Sequence, residues 1–309
     1  MSITDSIVNY RRFLKRRNFS FYTVKNYINT LKHFVVWLGV PIEKATSREV
    51  LEYVDHLLDR RHSAKTINCH LNSIRRFYDY LRHEEGIHIQ NPVKTGYALR
   101  LPKPLPRYVK EEDLARFFKA IKKHRDRAMF MLMLRCGLRV EEVAALSISA
   151  IDLLRRRITV QNGKGMKDRV VYISDDASEA LARYLHVRPA GRASKVFLVE
   201  KGACKGRPIS VRGVQKRMEY YARKSGSEVS CHQLRHTMAT QLLNAEADLV
   251  TIQDLLGHSS ITTTQRYCKV SNLKVQRDYF KAMEKVSKRQ GSHADHHEAA
   301  GSLMAPYRE

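Results

Sequence analysis

Along the first ninety residues the apolar positions return every three or four places. Val24, Tyr27, Ile28, Leu31, Phe34, Val35 and Leu38 form one stripe of an amphipathic helix, which Gly39 and Pro41 bring to an end. Ser47 is placed to cap a second helix with Val50, Val54, Leu57 and Leu58 turned inward. Ser63 is placed to cap a third, whose buried side is Ile67, Leu71, Ile74, Tyr78 and Leu81. Basic residues, among them Lys65, Arg75, Arg76 and Arg82, alternate with these apolar positions. They predict either a solvated face or a face that meets phosphates.

The pattern breaks at Asn91-Pro92 and again at Leu101-Pro-Lys-Pro-Leu-Pro106, where three prolines in five residues favour extended chain. Beyond this basic strap the periodicity is mixed. Helices are expected over Glu111–Lys122, Asp126–Cys136 and a short stretch after Arg139. Arg157–Val160 and Arg169–Ile173 read as two strands flanking the turn Gly163-Lys-Gly-Met-Lys167. Further helices are expected over Asp175–His186, Val211–Lys224, Gln233–Asn244, Thr251–Leu256, Ile261–Tyr267 and Asn272–Val286. The expected fold is therefore mainly α with a small β-sheet. It comprises a helical domain over 1–90, a linker over 91–107 and a mixed α/β domain over 108–289, with 290–309 a disordered tail. No internal repeat is evident.

Charge changes the picture. The 309 residues hold 56 Lys and Arg against 31 Asp and Glu, a net charge of +25, with both halves strongly basic. Such an excess points to a polyanionic partner gripped by both domains. Five scattered cysteines, Cys69, Cys136, Cys204, Cys231 and Cys268, form no C-x-x-C pair and no disulfide framework. No apolar run approaches the roughly 18–20 residues of a membrane span, and the N-terminus lacks the layout of a signal peptide. A cytoplasmic protein is expected.

Five short segments carry candidate chemistry: Cys136-Gly-Leu-Arg-Val-Glu-Glu142, Gly163-Lys-Gly165, His232-Gln-Leu-Arg-His236, Leu256-Gly-His258, and Tyr267 nine residues after that histidine. Each alone has a structural reading, as a helix end, a hairpin turn, a helix face, a glycine cap or a core tyrosine. In this order and spacing they resemble the catalytic signature of the tyrosine recombinase (phage integrase) family, and the likeness covers nearly the whole chain. The layout is nearest to Xer-like and transposon recombinases. The first domain then corresponds to a SAM-like core-binding domain and the second to the catalytic domain.

The resemblance implies a site-specific DNA recombinase. It assigns contacts with the scissile phosphate to Arg139, His232, Arg235 and His258, and support of Arg139 to Glu142. Lys164 is implied as the acid for the leaving 5′ oxygen, although Lys167 lies on the same turn and either lysine can approach DNA. Tyr267 is implied as the nucleophile, and Lys65, Arg75, Arg76 and Lys167 are candidate DNA contacts. The chemistry fits the residue types independently. Two guanidinium forks match the charge and geometry of a phosphate in-line displacement, and a phenol leaves more readily than an aliphatic alcohol when the strand is resealed. The scheme calls for no metal and no other cofactor. His293, His296 and His297 in the tail read as a flexible run rather than a metal site, His236 as structural, and Cys231 as carrying no chemistry.

Family members act as four protomers on two DNA sites, which implies self-association as a homotetramer on double-stranded DNA, or assembly with a paralogous recombinase. The basic amphipathic segment Asn272–Val286 is expected to dock on a neighbouring protomer, with docking on its own domain as the alternative. The 42 residues that follow Tyr267 favour a mobile-element enzyme over a minimal chromosome-dimer resolvase. Two competing functions stay open at this point: a type IB topoisomerase-like nicking-closing enzyme, and a DNA-binding protein without catalysis.

Overall fold

The computed structural model describes residues 3–102, 107–161, 168–189 and 193–257, together with Tyr279, Phe280 and Met283. The chain divides into two compact units, Met1–Lys103 and Pro104–Glu309.

The first unit contains α1 (Ile3–Arg16), α2 (Phe21–Leu38), α3 (Ser47–Asp59) and α4 (Ala64–His83). Their apolar stripes meet in one core. Leu31, Phe34, Val50, Ile67, Ile74 and Phe77 are wholly buried there, and Tyr10 and Leu14 close it from α1. Helix α2 starts at Ser20, whose hydroxyl accepts from the Thr23 N–H, and stops at Gly39 in the left-handed region at φ 66°. The cap of α3 is Thr46 rather than Ser47. Its N–H donates to Glu49 Oε2 at 2.7 Å, one half of a capping box. Leu58, expected inside, is 46% exposed. The buried stripe of α3 runs through Val50, Tyr53, Val54 and Leu57, and Leu58 falls at its margin.

The stretch from Asn91, expected as the start of a basic strap between domains, is fastened to this unit. Val93 is buried, Arg75 Nη2 donates to the Lys94 carbonyl at 2.9 Å, and the Asn68 side chain exchanges two 2.8 Å hydrogen bonds with the backbone of Leu99. The break between units lies between Lys103 and Pro104, inside the proline run.

The second unit contains α5 (Glu111–Ala120), α6 (His124–Arg135), α7 (Val140–Ala145), the strands β1 (Ile151–Asp152), β2 (Arg157–Val160) and β3 (Arg169–Tyr172), then α8 (Asp175–Val187), α9 (Val211–Ser225), α10 (Cys231–Asn244) and α11 (Leu249–Leu256). Helix α6 is its centre. Every residue from Ala128 to Leu134 is buried, as expected of a helix that is apolar all round, and it packs on α8 and α10. At its start, fully buried Asp126 holds two arginines. Arg125 donates at 2.9 and 2.7 Å, and Arg217 of α9 at 2.8 Å. A buried carboxylate is tolerable only with such partners.

The strands form one antiparallel sheet in the order β1-β2-β3, with Ile158 opposite Val171 and Val160 opposite Arg169. Ile158, Val160 and Val171 are buried beneath it. The two expected strands, β2 and β3, and the helices α5 to α11 agree with the sequence pattern to within two residues, whereas the two-residue strand β1 was not expected; α5 starts without a side-chain cap at Lys110. The expected helix Ile261–Tyr267 lies outside the described residues. Of Asn272–Val286 only Tyr279, Phe280 and Met283 are described, and these are helical.

Candidate active site

The site is organised around the last turn of α11. The final carbonyls of a helix have no partner within it and carry the negative end of the helix dipole. Here three arginines serve them. Arg169 Nε donates to Leu255 O at 3.0 Å. Arg235 Nη2 donates to Leu256 O. Arg139 Nη2 donates to Leu256 O and to Gly257 O, both at 3.2 Å. Residues far apart in sequence are thereby gathered on three successive peptide units.

Two glycines make this approach possible. Gly257 ends α11 at φ 56°, and a Cβ there would stand 2.9 Å from Cδ of Arg169. Gly137 lies at φ 62°, where a Cβ would stand 2.7 Å from Sδ of Met238. The Gly137 carbonyl accepts from Arg235 Nη1. The Gly-Leu-Arg run thus needs its glycine for backbone conformation and for close packing on α10.

Glu142 occupies the third position of α7 and works in two directions. Its Oε2 accepts from the Arg139 N–H at 2.7 Å, which caps the helix, and its Oε1 accepts from Arg139 Nη1 at 2.8 Å. The opposite side of the same carboxylate is held by Arg169, through Nη1 at 2.8 Å and Nη2 at 2.7 Å. Burial pushes the Glu142 carboxyl up, but the hydrogen bonds and charge of Arg169 and the Arg139 N–H prevail and bring its pKa down to about 2. It is therefore ionised at neutral pH.

Helix α10 supplies the remaining groups. Ser230 caps it by accepting from the Gln233 N–H. His232 sits in its first turn, and Arg235 and His236 follow at i+3 and i+4, on one face. The rings of His232 and His236 meet edge to face with centroids 4.2 Å apart. Arg235 is only 3% exposed. Arg139, His232 and Arg235 line one cavity of about 500 Å³, together with Arg212 and Cys231. Burial pushes the Cys231 thiol up to about 11, so at neutral pH it remains protonated and is a poor nucleophile.

The structure thus brings Arg139, Glu142, His232 and Arg235 together. Lys164, Lys167, His258 and Tyr267 lie outside the described residues. His258 follows Gly257 directly, so the chain enters that segment at the arginine-bound turn. In the first unit Lys65 is exposed at the start of α4. Arg76 lies 5.6 Å from the ring centroids of both Phe19 and Tyr27, and Arg75 binds the Lys94 carbonyl. Arg169 was missed by sequence reasoning, which read it only as the start of a strand. A signal was present: Arg169 alternates in step with Val171 and Ile173, both buried, so a strand of period two turns it toward the interior, where a charge demands a partner. Among the described residues no group of His, Cys, Asp and Glu is placed to hold a metal, and no helix is long and apolar enough to cross a membrane.

Comparison with known proteins follows the same division of the chain. Residues 107–274 match the phage integrase family, and residues 7–86 match the N-terminal SAM-like domain of phage integrases. The chain is 30% identical over 286 residues to the tyrosine recombinase XerA of Thermococcus kodakarensis, covering 91% of this chain and 97% of that one. It is 32% identical over 276 residues to the tyrosine recombinase XerC of Thermodesulfovibrio yellowstonii, covering 85% and 91%. Among solved structures, XerA recombinase superimposes with a TM-score of 0.52 at 25% identity over 90% of this chain and 98% of that one. The Tn1549 transposon integrase in complex with transposon right end DNA reaches 0.73 at 18% identity over 90% and 99%, a likeness of fold. Fold and relatives together define a site-specific recombinase of the tyrosine type. The chain belongs to the phage integrase family.

Proposed function

We propose that this enzyme cuts and rejoins double-stranded DNA at specific sites through a 3′-phosphotyrosine intermediate on Tyr267. The single observation that carries the reading is the convergence of Arg139 and Arg235 on one helix end beside His232, in one cavity. Both guanidinium groups are fixed before any substrate arrives, and preorganised donors of this kind are usually the largest contributor to lowering the barrier.

In this scheme Arg139, Arg235, His232 and His258 bind the non-bridging oxygens of the scissile phosphate. The Tyr267 phenol oxygen attacks phosphorus, forming a P–O bond as its proton passes to solvent water. The P–O5′ bond breaks, and the Lys164 ammonium supplies the proton that O5′ takes up. Rejoining runs the same steps backward with a 5′ hydroxyl as nucleophile. The bond energy is kept in the phosphotyrosine, so ATP is not consumed. Glu142 holds Arg139 in place. Lys65, Arg75, Arg76 and Lys167 contribute to DNA binding, which the charge of +25 favours. The protein acts as a tetramer on two sites, for integration or excision of a mobile element, with Asn272–Val286 joining neighbouring protomers.

A suicide duplex tests this directly. It carries the core sequence that the protein itself selects from a randomised library, with a nick beside the cleavage position. The wild-type protein should become covalently attached, and Tyr267→Phe should bind equally well without attachment. An adduct of equal yield with the Phe protein contradicts the assignment. Truncation of 272–309 should impair pairing of two sites more than binding to one. An unchanged tetramer on DNA in sedimentation contradicts that part.

A further inference from the structure

The feature the proposed mechanism leaves unused is Arg169. Its side chain is 9% exposed, and its donors are committed inward. Nη1 and Nη2 take the two oxygens of Glu142, and Nε takes Leu255 O. With the fork spent in this way it is turned from the cavity, whereas Arg139, at 20% exposure, lines it. Gly257 leaves the space that lets the Arg169 stem pass beneath the end of α11.

Electrostatics give this arrangement a purpose. Arg139 must attract a phosphate while bound to a carboxylate. An isolated Arg–Glu pair has no net charge, and the anion nearest to Arg139 competes with the phosphate for its guanidinium. A second guanidinium on the same carboxylate changes the sum. Arg139, Glu142 and Arg169 together carry +1, and the Glu142 charge is shared between two partners. In a partly buried setting, where solvent screens less than in bulk water, that difference is felt in the cavity.

We infer that Arg169 is a positioning residue for phosphate activation: it neutralises Glu142, so that the carboxylate orients Arg139 without discharging it. The inference rests on the recombinase reading above. It goes beyond that reading by making the strand β3 arginine a partner of the reaction that never touches DNA. It also ties the base of the β2–β3 hairpin, where Val160 pairs with Arg169, to the arginine-bound turn of α11.

The test uses single-turnover attachment to the suicide duplex described above, with DNA affinity measured separately by fluorescence anisotropy. Arg169→Gln should slow attachment by about 100-fold while the Kd for the duplex changes less than about threefold. Arg169→Lys, which keeps the charge but loses the fork, should stay within about tenfold of wild type. The discriminating variant is Arg169→Gln combined with Glu142→Gln. If Glu142 discharges Arg139 when Arg169 is gone, removing its charge restores attachment about tenfold over Arg169→Gln alone. A merely structural arginine gives the opposite result, because a second damaged contact makes the double variant as slow or slower.

The inference is overturned by a double variant no faster than Arg169→Gln, or by Arg169→Gln within threefold of wild type. If Arg169→Gln does not keep the wild-type circular dichroism spectrum, Arg169→Met, which also removes the charge, takes its place in the same suppressor test, with the same two outcomes. Failure of the wild-type protein itself to attach contradicts the recombinase reading instead, so the two failures are told apart.

Discussion

The two units each bury a titratable pair, and they solve the problem of burial in opposite ways. In the first, Tyr53 and His70 meet at 2.8 Å inside an otherwise apolar and aromatic core. Burial, with His33 and His62 nearby, lowers the His70 pKa to about 4, so the ring is neutral at pH 7. In the second, Glu142 is kept ionised by Arg139 and Arg169. A core that has only to hold together sheds charge. A site that must attract an anion keeps charge in place, and surrounds each carboxylate with more cation than it needs.

The largest effect that sharpens this contrast is expected at Arg235. Arg235→Ala removes the buried guanidinium, takes its donor from the Gly137 carbonyl and leaves Leu256 O to Arg139. Attachment to DNA should fall by more than about 100-fold, and stability by about 2–4 kcal/mol. Urea unfolding and single-turnover attachment measure the two losses. A protein as stable and as active as wild type breaks the account of the arginine-bound turn.

Acid provides the next. His70 has a folded pKa below its unfolded value, so the unfolded chain takes up a proton first. First-unit stability is then complete above about pH 6.5 and falls toward pH 4, by on the order of 3 kcal/mol. Glu142 has a folded pKa of about 2, below its unfolded value near 4.5, so its contribution is complete above about pH 4.5 and is lost progressively as pH falls from there to 2. The one tryptophan, Trp37, lies in the first unit beside Tyr53, with ring centroids 5.0 Å apart. Its fluorescence should report unfolding midpoints that drop between pH 6.5 and 4.5. His70→Gln should flatten that slope, and an equal slope in both proteins breaks the contrast.

Gly137→Ala should cost about 2 kcal/mol, from the positive φ and from contact with Met238, read as a lower Tm. The smallest effect belongs to the strap. Asn68→Ala removes two hydrogen bonds to Leu99 and should cost about 1 kcal/mol, with faster proteolysis within 91–102 and DNA attachment unchanged.

The helices of the first unit are legible because each buries one stripe, as Val24, Ile28, Leu31 and Phe34 do on α2. Arg139, Glu142, His232 and Arg235 are legible because their order and spacing resemble a known signature. Arg169 and the fastening of residues 91–99 were not read, for a shared reason. Their meaning comes from partners distant in sequence: Glu142 and Leu255 for Arg169, Asn68 for Leu99. No local period encodes such pairs. Thr46 in place of Ser47 as the cap of α3 is a milder case, since two adjacent hydroxyl residues compete and only the reach of Glu49 decides between them.

The central claim is that arginines held on the end of α11 act by neutralising the charge of one backbone phosphate. A duplex in which that phosphate is replaced by an uncharged methylphosphonate tests it most directly. Arg235→Gln should attach to the neutral duplex at least about tenfold faster than to the normal one, since the charge it lacks is no longer needed. Equal inactivity on both duplexes, with the wild-type protein active on the normal one, would contradict the claim.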